Sequence, residues 1–167
     1  KPVVENGTRI AMLQSGDADF IFPVPTEQIE SLKSNSELTV TTIPSIIVRY
    51  MTLNTQKAPF DNVKVRQALN YAMDKEAYSK VVYNGFTVPM DSLIAPNVQF
   101  YSPQTPYEYN VEKAKELLKE AGYENGFEVK LWSNNNTTNI KASQFIKQQL
   151  SLVGITVNVE NMEVGTL

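Results

Sequence analysis

The stretch from Phe127 to Val159 constrains the fold most. Phe127 to Trp132 alternates apolar and polar side chains, as a half-buried strand does. Ile140 to Leu152 has helical spacing and stops at Gly154. Ile155 to Val159 alternates again. A helix between two such strands makes a crossover, so the strands pair in parallel and the segment is a βαβ unit. The chain is therefore expected to be α/β. Groups that meet a ligand are expected beyond the carboxyl ends of those strands.

The remaining elements follow from caps and breakers. Asn6 to Ser15 reads as a helix capped by Asn6 or Thr8, with Ile10, Leu13 and Met12 on its apolar side and Gly16 as its stop. Ala18 to Phe22 reads as a short strand that Pro23-Val24-Pro25 breaks. Thr26 is placed to cap a helix through Lys33, with Ile29 and Leu32 inward. Leu38 to Thr42 and Ile46 to Leu53 read as strands on either side of Pro44. Asp61 is expected to cap a helix whose core positions are Val65, Ala68, Leu69 and Ala72. Asp74 is expected to cap the next, with Ala77, Tyr78, Val81 and Val82 inward and Asn84-Gly85 as its end. Thr87 to Tyr109 carries Pro89, Pro96, Pro103 and Pro106 among aromatics, so it reads as a long ordered loop. Asn110 caps a strongly amphipathic helix with Val111, Ala114, Leu117, Leu118 and Ala121 on one face.

Composition removes several chemistries. The 167 residues contain no cysteine and no histidine, so a thiol nucleophile, a Cys/His zinc site and a Ser-His-Asp triad are all excluded within them. No carboxylate spacing suggests a hydrolase, and an enzyme is not expected. Nothing in the sequence calls for a cofactor or a metal. The net charge is −3 with both signs mixed along the chain, which gives no basic stripe for nucleic acid. No apolar run approaches the roughly 20 residues of a membrane-spanning helix.

Three blocks carry a resemblance. They are Arg9 to Asp19 with Phe22-Pro23-Val24-Pro25, Pro59 to Ala72 with Asp74-Lys75, and Tyr109 to Tyr123 with Gly126-Phe127. In this order they resemble the extracellular solute-binding proteins, family 5, which serve dipeptide, oligopeptide and nickel ABC importers. Lys1 to Asn6, Phe22 to Pro25 and Leu131-Trp132-Ser133 look most like the members that bind glutathione. The resemblance implies part of a two-lobed, type II periplasmic-binding-protein fold that closes on its ligand. Residues 1–44 would belong with the first lobe and hinge. Residues 45–167 would form the N-terminal part of the second lobe, with the C-terminal half of that lobe missing from this chain. The implied partners are a small peptide, glutathione first, and the permease subunits of the importer. The implied location is periplasmic or otherwise extracytoplasmic. Longer peptides or a metal chelate are the alternatives within the family, and a protein-interaction domain using the loop 87–109 is the alternative outside it.

Each candidate residue has two readings. Trp132 either packs on the sheet or forms a wall of the ligand pocket, because it ends a strand. Ser133, Asn134, Asn135 and Asn136 are either a turn with a helix cap or donors and acceptors for peptide bonds, beside a helix N-terminus that favours a carboxylate. The dipeptide-binding relatives carry arginine near here, and this chain has none between Ser133 and Lys141. Arg49 and Tyr50 sit mid-strand, where alternation lets only one of them face a cleft, and Arg49 would suit a carboxylate. Pro23, Val24 and Pro25 either end a strand or stiffen a hinge crossing. Tyr101, Tyr107 and Tyr109 read as pins for the long loop.

Overall fold

Residues 2–163, 165 and 166 are described in the computed structural model. They fall into two compact units, Lys1–Ile43 and Pro44–Leu167.

The first unit is helical. Helix α1 spans Asn6–Ser15, and Gly16 closes it in the left-handed region at φ 80°. Glu5, rather than Asn6 or Thr8, holds the cap position and no side chain caps the helix. Asn6 is occupied elsewhere: its carbonyl oxygen accepts from the Arg9 guanidinium. A 3-10 turn over Thr26–Gln28 runs into α2, Ile29–Lys33. Pro25, not Thr26, holds the cap position, and its carbonyl accepts from the Gln28 N–H at 3.0 Å. Ile29 and Leu32 are buried, as their spacing requires. The strands expected at Ala18–Phe22 and Leu38–Thr42 do not form among the described residues. A strand exists only where a ladder partner takes its N–H and C=O groups, and none of the described residues pairs with these.

The second unit holds the α/β core. Helices α3 (Val63–Tyr71), α4 (Lys75–Tyr83) and α5 (Val111–Glu120) precede strand β1 (Phe127–Asn134), helix α6 (Thr137–Ser151) and strand β2 (Ile155–Met162). The strands are parallel, in register from Phe127 opposite Ile155 to Asn134 opposite Met162, so the expected βαβ unit is present. Val65, Ala68 and Leu69 of α3, Ala114, Leu117 and Leu118 of α5, and Ile155 and Val157 of β2 form one buried cluster. The outer face of α5 carries the Lys113–Glu116 and Lys115–Glu112 ion pairs.

Caps explain the helix starts. The side chains of Asp74 and Asn110 accept from the N–H groups of Ala77 and Lys113, as expected. On α3 the cap is Asn62 rather than Asp61, since the Asn62 side chain is the one that reaches the Lys64 N–H. Helix α6 starts at Thr137 rather than Ile140, because Asn136 caps it through the Asn139 N–H. Val81 is exposed, leaving Val82 as the buried valine of α4. Ile46 to Leu53 has no ladder partner among the described residues. Its Met51 and Leu53 still pack on the core cluster.

The long loop is ordered from within. The Asp91 carboxylate accepts from the Tyr101 hydroxyl at 3.0 and 3.1 Å and from the Gln104 N–H at 3.0 Å. Tyr107 meets Tyr71 of α3 edge to face at 5.1 Å. Both tyrosines therefore pin the loop, which does not favour a partner-docking use of either.

Candidate functional site at the carboxyl end of the parallel strands

The pleat decides which side chains are available. Phe127, Val129 and Leu131 of β1 turn to the helices and pack on the core. The alternate positions Glu128, Lys130 and Trp132 are exposed. Trp132 keeps 63% of its surface accessible.

Trp132 is nevertheless held. It stands directly across the ladder from Glu160. Its indole N–H donates to Glu160 Oε2 at 2.8 Å. Lys130 Nζ lies 2.7 Å from Glu160 Oε1. The hydrogen bond from Lys130, then that from Trp132, holds the Glu160 carboxyl below the usual carboxylate range. The same hydrogen bond raises the Lys130 ammonium. Both groups are therefore charged at neutral pH. Farther back on the same face, Asn158 donates to Glu128.

The polar segment after Trp132 is built differently from the expected turn. Ser133 and Asn134 belong to β1, opposite Asn161 and Met162, so the turn begins two residues later than expected. The Asn135 N–H donates to the Met162 carbonyl at 3.1 Å and its side chain to Glu163 at 2.6 Å. Asn134 Oδ1 accepts from the backbone and side-chain nitrogens of Asn136. Asn136 Oδ1 accepts from the Asn139 N–H at 2.8 Å. Asn134 and Asn136 thus fix each other and the start of α6, while Asn135 is tied to Met162 and Glu163. The Asn136 side chain thereby satisfies one of the N–H groups that the first turn of α6 leaves without a helical partner.

No hydrogen bond, ion pair or ring contact among the described residues joins Arg49 or Tyr50 to Trp132 or to the 133–136 segment. Both are exposed, and the outward pair is not split by alternation because no strand forms there. The Arg49 charge acts instead on Tyr78. Burial, then Tyr83, pushes the Tyr78 hydroxyl up to about 12, and Arg49 opposes that rise.

In the first unit, Pro23 has a specific partner. Its carbonyl accepts from the Arg9 guanidinium at 3.1 Å. The same guanidinium donates to the carbonyls of Val3 and Val4 at 2.8 and 2.9 Å. Pro23, Val24 and Pro25 therefore lead from an arginine-tethered segment into the 3-10 turn, rather than out of a strand.

Lys130, Glu160 and Glu163 were not among the residues the sequence singled out. For Lys130 and Glu160 the signal was available: once β1 and β2 are paired in parallel, the polar positions of one strand fall opposite those of the other.

The chain belongs to the bacterial extracellular solute-binding proteins, family 5; the middle region of that family matches residues 1–166. It is 46% identical over 166 residues to the glutathione-binding protein GsiB of Pectobacterium atrosepticum, covering 99% of this chain and 32% of that protein. Among solved structures it is similar to the ABC transporter-associated periplasmic binding protein DppA of Helicobacter pylori in complex with the peptide STSA. The two share 34% identity with a TM-score of 0.81, over 99% of this chain and 32% of that one. It is also similar to a dipeptide binding protein of Pseudoalteromonas in complex with Met-Leu, at 30% identity and a TM-score of 0.74, over 98% of this chain and 34% of that one. The chain spans about a third of the length of the relatives it matches. The fold is accordingly α/β and part of a type II periplasmic-binding-protein fold, as the resemblance implied. The relatives named here are binding proteins, and no helix among the described residues is long and apolar enough to cross a membrane.

Proposed function

We propose that this chain is part of the substrate-binding component of an ABC importer, acting in the periplasm, that takes up a small peptide and presents it to the permease. Glutathione is the first candidate ligand. The observation that carries the reading is Trp132: an indole held by Glu160 near the carboxyl end of a parallel strand pair, on the strand that leads into the N-terminus of α6. Such a strand end is where open α/β sheets take ligands. An aromatic face there supports the plane of a peptide bond, and the helix N-terminus favours a carboxylate. Glutathione carries both groups. The likeness to a glutathione-binding relative supports the same choice.

In this reading residues 1–44 go with the first lobe and the hinge, and residues 45–167 with the second lobe. Trp132, Ser133 and the Asn134 to Asn136 segment line the second lobe's side of the cleft. Arg49 or Tyr50 adds a further contact to the ligand, Arg49 suiting a carboxylate. Pro23, Val24 and Pro25 limit the backbone states of the crossing. The ligand shifts the protein to a closed state by binding that state more tightly, and no covalent step is involved.

Calorimetric titration of the full-length protein tests the proposal. Glutathione is expected to give saturable heat at a stoichiometry of one. Clear binding of ordinary dipeptides with no heat from glutathione would remove glutathione and keep the peptide class, in line with the relatives crystallised with STSA and Met-Leu. No binding by glutathione, dipeptides or longer peptides would remove the class.

A further inference from the structure

An exposed indole normally rotates freely, and fixing it when a ligand binds costs rotamer entropy. Here the ring is already constrained. Its sole polar atom, Nε1, donates to Glu160 Oε2 at 2.8 Å. A carboxylate on a free side chain would swing with the indole, but Glu160 does not have that freedom. Its second oxygen is held by Lys130 Nζ at 2.7 Å. Lys130 and Trp132 lie two residues apart on the same face of β1, so their two bonds grip the carboxylate from one strand while Glu160 is rooted in the other. The ladder between the strands sets the spacing of all three side chains.

We propose that Glu160 is a positioning residue for the ligand site: together with Lys130 it sets the plane of the Trp132 indole before ligand arrives, so that the ring meets the peptide as a preformed wall. This inference rests on the reading of Trp132 as ligand-facing. It adds that Glu160 acts on the ligand through the indole, with one of its oxygens on Trp132 and the other on Lys130. The ligand meets the ring face, which takes flat amide, apolar or cationic groups.

The test uses the full-length protein, with the indole N–H resonance of Trp132 assigned by its loss in Trp132→Phe, and glutathione as the probe in calorimetry. Glu160→Leu is expected to move the resonance upfield and to weaken glutathione binding by roughly 2- to 10-fold, the range for freeing one ordered side chain. Glu160→Gln keeps an acceptor oxygen, so it is expected to hold the resonance near its original position and restore most of the affinity. Glu160 is on the surface face of the sheet, so the unfolding midpoint of either variant is expected to stay near that of the parent. Trp132→Ala separates the two layers of the argument. If Trp132→Ala weakens binding and Glu160→Leu does not, the positioning role is overturned while the ligand-facing reading stands. If Trp132→Ala leaves affinity unchanged, the ligand-facing reading fails and the positioning role fails with it. A resonance that does not respond to Glu160→Leu also overturns the positioning role.

Discussion

Replacing Gly126 by alanine is expected to destabilise the second unit by roughly 3–5 kcal/mol, combining left-handed strain with a backbone overlap. Gly126 has φ +73°, and a Cβ built there falls 1.8 Å from the carbonyl oxygen of Gly154 and 2.6 Å from its carbonyl carbon. The obstacle is main chain, so no side-chain rotation relieves it. The location makes the effect structural for the site as well. Gly126 immediately precedes β1 and Gly154 immediately precedes β2, and the ladder begins at the next pair, Phe127 opposite Ile155. Forcing the two glycines apart disturbs the register that sets Trp132 across from Glu160. Gly122 provides the control. Its φ is +84° with nothing within 4 Å of a built Cβ, so alanine there meets strain alone, on the order of 1–2 kcal/mol. Thermal unfolding of the two variants in the full-length protein checks the difference. Equal losses would show that the close approach of the glycine backbones does not govern this junction.

The second large effect is expected for Leu118→Ala. Leu118 is 1% exposed, within the cluster that joins α3, α5 and β2. Removing its isobutyl group from a packed interior costs about 2–5 kcal/mol, through lost transfer energy and the cavity left behind. The outer face of the same helix offers the contrast. Lys115 and Glu112 pair at 3.1 Å, but both side chains are largely solvated. Lys115→Ala is accordingly expected to change stability by about 0.5 kcal/mol or less. Chemical denaturation midpoints measure both. A Leu118→Ala loss no greater than that of Lys115→Ala would contradict the description of the core.

What the sequence disclosed depended on the range of the interaction. Features set within a few residues were legible. Asp74 and Asn110 cap their helices through N–H groups three residues on. Gly16 and Gly154 follow helices in the left-handed conformations expected of stops. The alternation of Phe127 to Trp132 and Ile155 to Val159, with a helix between, yielded the βαβ unit. Competition between adjacent groups was less legible. Asp61 and Asn62 are both capping residues, and only geometry selects Asn62. The run Ser133 to Asn139 is polar enough to read as a turn throughout, yet the cap at Asn136 recruits Thr137, Thr138 and Asn139 into α6.

Features that need a distant partner were the least legible. Ala18 to Phe22, Leu38 to Thr42 and Ile46 to Leu53 have β-favouring side chains, but composition does not supply a ladder partner. The candidate site divides in the same way. Trp132 stood out as the only tryptophan and as a strand end. Its restraint by Glu160 spans 28 residues of sequence and emerges only once the parallel register is known. Arg49 was singled out by its charge and mid-strand position, and the residue its charge acts on, Tyr78, lies 29 positions away in sequence and was not foreseen.

A crystal structure of the full-length protein with bound peptide tests the central claim most directly. The peptide should be the one that gives the largest heat in the calorimetric titrations. The Trp132 ring is expected in van der Waals contact with that peptide, at about 4 Å, with the indole N–H still donating to Glu160. A peptide enclosed by the two lobes but out of contact with Trp132 and with the Ser133 to Asn136 segment would contradict it.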